Sequence, residues 1–159
     1  MKEGMLSAVA HDLKLRVEEF EVAIDQPSRS VAAIFNAESL RVVAAMKNGR
    51  EDPAALSDEN KKQIELNIGL EVLRTREFPD IVFISEYVLD GENGFIVKGN
   101  LTICATTRSI TTPVRRNKDR YLVDVKVNQP DFGIQPYSAM MGAIRVRPTV
   151  SVRLALPLE

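Results

Sequence analysis

The chain has 159 residues, 45% hydrophobic and 27% charged, with a formal net charge of −1. That describes one domain, long enough to bury a core and without the charge excess that draws a protein to nucleic acid or an anionic membrane surface. One cysteine, Cys104, and one histidine, His11, exclude an intramolecular disulfide, a cysteine-based metal site, most zinc sites and most nucleophile–histidine catalytic designs.

The first residues, MKEGMLSAVAHDLK, hold no long apolar stretch before their first charges, so no secretion signal is expected. The expected location is cytoplasmic, or periplasmic if a leader has been removed. No apolar run approaches the ~20 residues of a membrane span. Lys2 to Asp25 reads as an extended pair or one long bent strand. Leu13, Leu15 and Val17 alternate, then Phe20, Val22 and Ile24, and the three-residue step between the sets predicts a bulge or bend near Glu18–Glu19. Asp25-Gln26-Pro27-Ser28 is a turn by composition. A strand is predicted over Val31 to Asn36. Leu40 to Met46 fits a strand and a short helix equally, and the polar segment from Lys47 to Pro53 reads as a surface loop.

Ser57 is a good N-cap, and Asp58 and Glu59 place negative charge where the helix dipole favours it. A helix is therefore predicted over residues 57–74. Ile64, Ile68 and Val72 recur every fourth position with Leu66, Leu70 and Leu73 beside them, a broad apolar face. Pro79 forbids continuation. A lone helix in a strand-rich chain is expected to lie across the sheet or plug one end of a barrel.

The remainder reads as consecutive strands. Ile81, Phe83, Tyr87 and Leu89 alternate, and Asp90-Gly91-Glu92-Asn93-Gly94 closes a hairpin. In FIVKGNLTICATT, Phe95, Val97, Gly99, Leu101, Ile103 and Ala105 share one face. Gly99 and Ala105 are small where bulk would otherwise fill the bore. Arg108 to Arg116 is the next strand, with Pro113 predicting an edge or bulge. Tyr121, Val123, Val125 and Val127 then alternate, Gln129 to Gly142 is irregular, and a last strand puts Ile144, Val146, Val150, Val152 and Leu154 on one face against arginines on the other. About eight strands so sharply two-faced predict a meander curled into a barrel or sandwich, one face on a core and one in water. Charge is uneven: residues 1–93 carry 11 basic and 18 acidic side chains, and residues 94–159 carry 10 and 4. The surplus arginines read either as a solvated outer face or as a ring meeting an anionic head group.

Several stretches together resemble the YceI-like family of lipocalin-like, polyisoprenoid-binding proteins: FPDIVFIS, LTICATTRSITTPV and DFGIQPYSAMMGAIRVRPTVSV, preceded by AVAHDLKLRVEEF, which is similar to the family's histidine-containing first strand. Each motif alone is loose; four in this order are fairly specific and cover His11 to Leu154. Where family members usually have a His-Gly pair inside the LT motif, this chain has Cys104 and Ala105. The resemblance implies an all-β, eight-stranded antiparallel lipocalin-like barrel with one α-helix beside it, and an elongated apolar tunnel for an isoprenoid chain such as an isoprenoid quinone or a polyprenyl phosphate. Some relatives are dimers.

On this reading the chain is a single domain over residues 1–159. It binds a hydrophobic small molecule or lipid non-covalently, with no cofactor beyond a bound isoprenoid or fatty lipid, no metal, no nucleic acid and no enzymatic activity. The predicted apolar wall is Phe20, Val22, Phe83, Phe95, Val97, Leu101, Ile103, Val123, Val125, Val146, Val150 and Val152. The predicted mouth is His11, Arg108, Phe132, Ile134, Tyr137, Met140 and Met141. His11 reads as a mouth group or a half-buried structural histidine; adjacent to Asp12 in a strand, it points to the other face and cannot act with it. Arg108, which matches a basic family position, reads as a head-group cation or an exposed strand arginine. Phe132 to Met141 read as a flexible apolar lip or as a loop folded onto the barrel end. The DFG triplet at Asp131 is not a kinase signature, since no glycine-rich loop or HRD segment accompanies it. Cys104 reads as a small residue, and Thr102, Thr106, Thr107, Thr111 and Thr112 as strand formers on a solvated face. Two other classes remain open: a filled barrel acting as a structural or interaction module, and an enzyme on a small hydrophobic substrate with His11 or Tyr137 as acid–base group. A homodimer is left open.

Overall fold

The bend at Glu18–Glu19 sets the architecture. It separates β1 (Asp12–Val17) from β2 (Phe20–Asp25) and sends them into different sheets. Ser39, buried, holds the corner: its Oγ accepts from the Glu19 N–H (2.9 Å) and donates to the Asn36 carbonyl (2.7 Å), while its carbonyl accepts from the Glu18 N–H (3.2 Å). The computed structural model describes residues 12–25, 27–139, 142 and 144–157. The predicted mouth residues His11, Met140 and Met141 lie outside them.

β2 pairs with β3 (Ser30–Asn36), and a 3₁₀ turn at Ala37–Ser39 leads into β4 (Leu40–Lys47), so the ambiguous segment is a strand. The segment expected to be a surface loop is instead a tight hairpin. Asn48 (φ 54°) and Gly49 (φ 78°) turn the chain into β5 (Arg50–Asp52), which pairs back on β4. Asn-Gly is the dipeptide that this left-handed turn favours.

Helix α1 (Asp58–Asn67) starts in a capping box between Ser57 and Asn60 and runs into a π turn at Ile68–Val72. Its apolar face is narrower than predicted. Ile64 and Ile68 are buried, whereas Leu66 and Leu70 are 54% and 51% exposed. At ~100° per residue, positions two apart fall on nearly opposite sides of a helix.

Six further strands follow: β6 (Asp80–Gly91), β7 (Gly94–Ile103), β8 (Thr106–Asn117), β9 (Arg120–Asn128), then the two-residue pair β10 (Ser138–Ala139) and β11 (Ile144–Arg145). β12 (Thr149–Pro157) is last. The predicted final strand is thus broken in two at Pro148, whose carbonyl accepts from the Gln129 N–H (2.8 Å). One seven-stranded antiparallel sheet, in the order β12-β9-β8-β7-β6-β3-β2, curls into a half-barrel; β1-β4-β5 form a second sheet. The fold is mostly β with one helix, lipocalin-like as expected. It departs from a closed eight-stranded ladder because β1 leaves β2 at the Ser39 corner to pair with β4.

Packing is concentrated at one end. Val42, Ala45, Leu56, Ile64, Ile68, Tyr137 and Ile144 form one buried cluster between α1 and the small sheet. Leu101, Ile103, Val127, Phe132 and Ile134 form another at the adjoining end of the large sheet, and Val72 and Leu73 touch both. The helix end therefore plugs the barrel.

The β7–β8 turn is strained. Cys104 (φ 50°) and Ala105 (φ 64°) both occupy the left-handed region that favours glycine, and Ala105 is exposed in the turn rather than in the bore. Burial pushes the Cys104 thiol up, the Arg74 guanidinium pulling the other way, and the thiol donates to the Leu73 carbonyl (3.3 Å). Ala105→Gly is expected to stabilise the fold by about 1 kcal/mol, raising Tm by ~3 °C in a thermal melt.

Candidate functional site

The period-two strands turn one face of the large sheet inward, and that face is not filled. A cavity of about 1350 Å³ runs along it, lined by residues of both edge strands, β2 and β12, and of β1. An interior packed solid by its own side chains is therefore excluded. Ligand pockets for drug-sized molecules fall at ~300–1,000 Å³, so this space suits a longer guest. All twelve residues of the predicted wall line it: Phe20, Val22, Phe83, Phe95, Val97, Leu101, Ile103, Val123, Val125, Val146, Val150 and Val152.

β6 contributes differently from its predicted alternation. Its register against β7 slips between Ser85 and Tyr87. The extra residue reverses the inward phase, as a bulge must. Ile81, Phe83 and Val88 face the cavity, whereas Tyr87 and Leu89 are exposed outside. Gly99 does not leave open bore either. Its missing side chain makes room for the Phe83 ring, which a Cβ there would meet at 2.5 Å.

The predicted mouth is placed at the plugged end. Phe132 is buried in the second cluster and does not line the cavity. Ile134 and Tyr137 do line it, as buried parts of its floor. The Tyr137 hydroxyl accepts from Asn67 Nδ2 (3.4 Å). Arg108 lies opposite Leu101 in the ladder, yet it is exposed and outside the cavity, its Nε donating to the Asp131 carbonyl (2.9 Å). It ties down the 3₁₀ turn Gln129–Phe132, whose free C-terminal carbonyls attract a cation. The loop folds its own apolar residues inward because they are needed to close the base.

The opposite end carries the polar rim that the sequence reading missed. Arg29 Nη2 sits 2.6 Å from Asp90 Oδ1, and its guanidinium lies 5.8 Å from the centre of the Phe95 ring, which itself contacts Tyr121 at 5.8 Å. Asp25, Arg29, Phe95 and Tyr121 all line the cavity. They come from three hairpin ends; Phe95 and Tyr121 are visible in alternating strands, and Asp25 and Arg29 have no sequence signal beyond proximity to a turn. A second charged boundary lies near β1, where Arg147 pairs with Asp12 (3.1 Å).

Thr112, expected on the solvated face, is buried and lines the cavity. β8 pairs with β9 only from Val114 to Asn117. The next position, Pro113, has no N–H to give to β9. The Thr112 hydroxyl instead donates to the neighbouring Pro113 carbonyl on its own strand (3.2 Å) and reaches across toward the Asp124 carbonyl of β9 (3.5 Å). Thr112→Val keeps the shape and removes that donor. It is expected to cost about 1 kcal/mol in urea denaturation while leaving affinity for an apolar probe undiminished.

Comparison with known proteins agrees with this geometry. The model of the YceI-like domain matches residues 7–158. Among solved structures, BcnA from Burkholderia cenocepacia is similar at 16% identity, over 90% of this chain and 82% of that one, with a TM-score of 0.59. A Campylobacter jejuni YCEI protein is similar at 13% identity, over 92% and 85% of the two chains, with a TM-score of 0.57. At such identities the likeness is one of fold. No curated protein matches the chain.

Proposed function

The chain belongs to the YceI-like family, and from that premise we propose that it binds an extended apolar molecule, an isoprenoid quinone, polyprenyl phosphate or similar lipid, non-covalently in the half-barrel cavity. The observation that carries this is the vacancy of an apolar lining: about 1350 Å³ bounded by valine, leucine, isoleucine and phenylalanine, with Phe20, Ile24 and Val152 left 40–47% exposed along it. Such exposure is unfavourable without an occupant, and covering it returns about 0.8 kcal/mol per methylene. Ten buried methylenes would supply ~8 kcal/mol before the ordering cost of binding, enough without any polar contact for useful affinity.

The reading is of a binding protein that performs no covalent step on its guest. The charged rim at Arg29 and Asp25 sits where a polar head group of such a guest would meet water. Among the described residues no helix is long and apolar enough to cross a membrane.

Native mass spectrometry and organic extraction of the purified protein test the proposal. A co-purified lipid near one equivalent, and displacement of an apolar fluorescent probe by it, are the expected results. A ligand-free protein that takes up neither probe nor isoprenoid would overturn it.

A further inference from the structure

The open end of the half-barrel is built from three hairpin tips that differ in charge. Asp25 stands opposite Ser30 where β2 meets β3, Gly91 opposite Gly94 where β6 meets β7, and Asn117 opposite Arg120 where β8 meets β9. The tips adjoin one another. Arg29 pairs with Asp90, and the Arg116 N–H donates to the Asn93 carbonyl (2.8 Å). The first two tips carry three carboxylates, Asp25, Asp90 and Glu92, against the one cation Arg29. The third carries four basic residues, Arg115, Arg116, Lys118 and Arg120, against the one carboxylate Asp119, and all five are exposed. Arg115 shares Asp124 with Arg153 (3.3 and 3.1 Å). Among the described residues no carboxylate pairs with Arg116, Lys118 or Arg120.

This basic tip borders the apolar opening. In the ladder Arg120 stands beside Pro157 and Tyr121 beside Leu156. Tyr121 and Leu156 line the cavity, and Ile24, 47% exposed, lines it from the β2 side.

We infer that the β8–β9 tip docks the open end on an anionic lipid bilayer. The choice of a lipid surface rests on the proposed hydrocarbon guest, since a chain insoluble in water resides in a bilayer and the cavity must reach one to exchange it. Charge complementarity supplies the attraction. Each basic residue near an anionic surface adds roughly a fivefold factor in affinity, so three unpaired ones add on the order of a hundredfold. The net charge of −1 does not oppose this. At a Debye length of ~8 Å the surface senses the tip and not the whole molecule. Repulsion of Asp25, Asp90 and Glu92 tilts the mouth, with its β9–β12 lip on the bilayer and its acidic lip away. Tyr121, with an apolar ring and a polar hydroxyl, suits the head-group boundary beneath that lip. A nucleic acid would need the cations to continue along the sheet, where Asp124 already engages Arg115 and Arg153.

Flotation of the full chain with vesicles of phosphatidylcholine and phosphatidylglycerol, against phosphatidylcholine alone, tests this. The variant combines Arg116→Gln, Lys118→Asn and Arg120→Gln. Asparagine tolerates the left-handed backbone at position 118 (φ 55°). The three positions are exposed and outside the cavity, so thermal melting and apolar-probe uptake in solution should match wild type. A control with Lys61→Gln, Lys62→Gln and Arg76→Gln removes the same charge around the helix, at the plugged end. Wild type should float with the anionic vesicles, stay behind with the neutral ones and detach as salt is raised. The hairpin variant should bind the anionic vesicles about a hundredfold more weakly, and the control within about twofold of wild type. Wild type that ignores anionic vesicles, or an equal loss in the control, would overturn the inference. Vesicle binding that persists in a protein taking up no probe would sink the cavity reading and uphold the docking tip.

Discussion

Gly99→Ala is expected to destabilise the fold by about 3 kcal/mol, read as a lowered urea midpoint at unchanged slope. Gly99 sits in the interior of β7, opposite Ser85, where the β6 bulge draws the two backbones together. A Cβ there would lie 2.5 Å from the Ile84 carbonyl oxygen and 2.5 and 2.8 Å from two atoms of the Phe83 ring. The ring can swing away, but only into the cavity it helps to line. The carbonyl is backbone and can yield only if the ladder shifts. The variant should therefore lose affinity for an apolar probe as well as stability. Gly99→Ala combined with Phe83→Leu should recover part of the loss, because it relieves the ring contact and leaves the carbonyl contact. Full recovery in the double variant would show that the backbone approach is not tight.

The inner wall was legible because period two survives wherever a strand is regular. Alternation alone put Phe95, Val97, Leu101 and Ile103 on the face of β7 that lines the cavity, whereas β12, at the sheet edge, lines it with both phases, Val150 and Val152 beside Ser151 and Arg153. The pattern failed where one residue changes the phase. The Glu86 bulge has no compositional mark, so Tyr87 and Leu89 were placed with Phe83, although the ladder puts Val88 inside. The Asn48-Gly49 turn was legible in principle, and the surrounding polarity hid it. The mouth was the least legible part. Phe132 and Ile134 are apolar loop residues whether they close a base or flank an opening, and only the fold shows that they pack beneath Leu101 and Val127. The rim at Arg29, Phe95 and Tyr121 is assembled from hairpins that meet only when the sheet curls. The bend at Glu18–Glu19 was visible as a three-residue step. Its consequence, β1 crossing to a second sheet, depends on Ser39 twenty residues away.

Val152→Asp is expected to abolish high-affinity binding of a hydrocarbon guest at neutral pH while leaving the empty fold nearly intact. Val152 is central in β12, opposite Val125 in the ladder, and lines the cavity while remaining 40% exposed. In the unoccupied protein water reaches that position, so a carboxylate there stays solvated and should cost at most about 1 kcal/mol. An apolar guest removes the water. The acid must then be buried charged or take up a proton, and protonation is the cheaper course. From an ordinary aspartate pKa of ~3.9, neutralising the group at pH 7 costs about 4 kcal/mol, a loss of two to three orders of magnitude in affinity. The sign with pH follows. The occupied state holds the acid neutral and so raises its pKa, and binding takes up a proton. Affinity should therefore recover as pH falls toward 4, while wild-type affinity changes little over that range. Titration of an apolar fluorescent probe at pH 7 and pH 4, with Val152→Leu as a neutral control, measures both effects. A Val152→Asp protein that binds as tightly as wild type at pH 7 would mean that the guest, if any, lies elsewhere than along this wall.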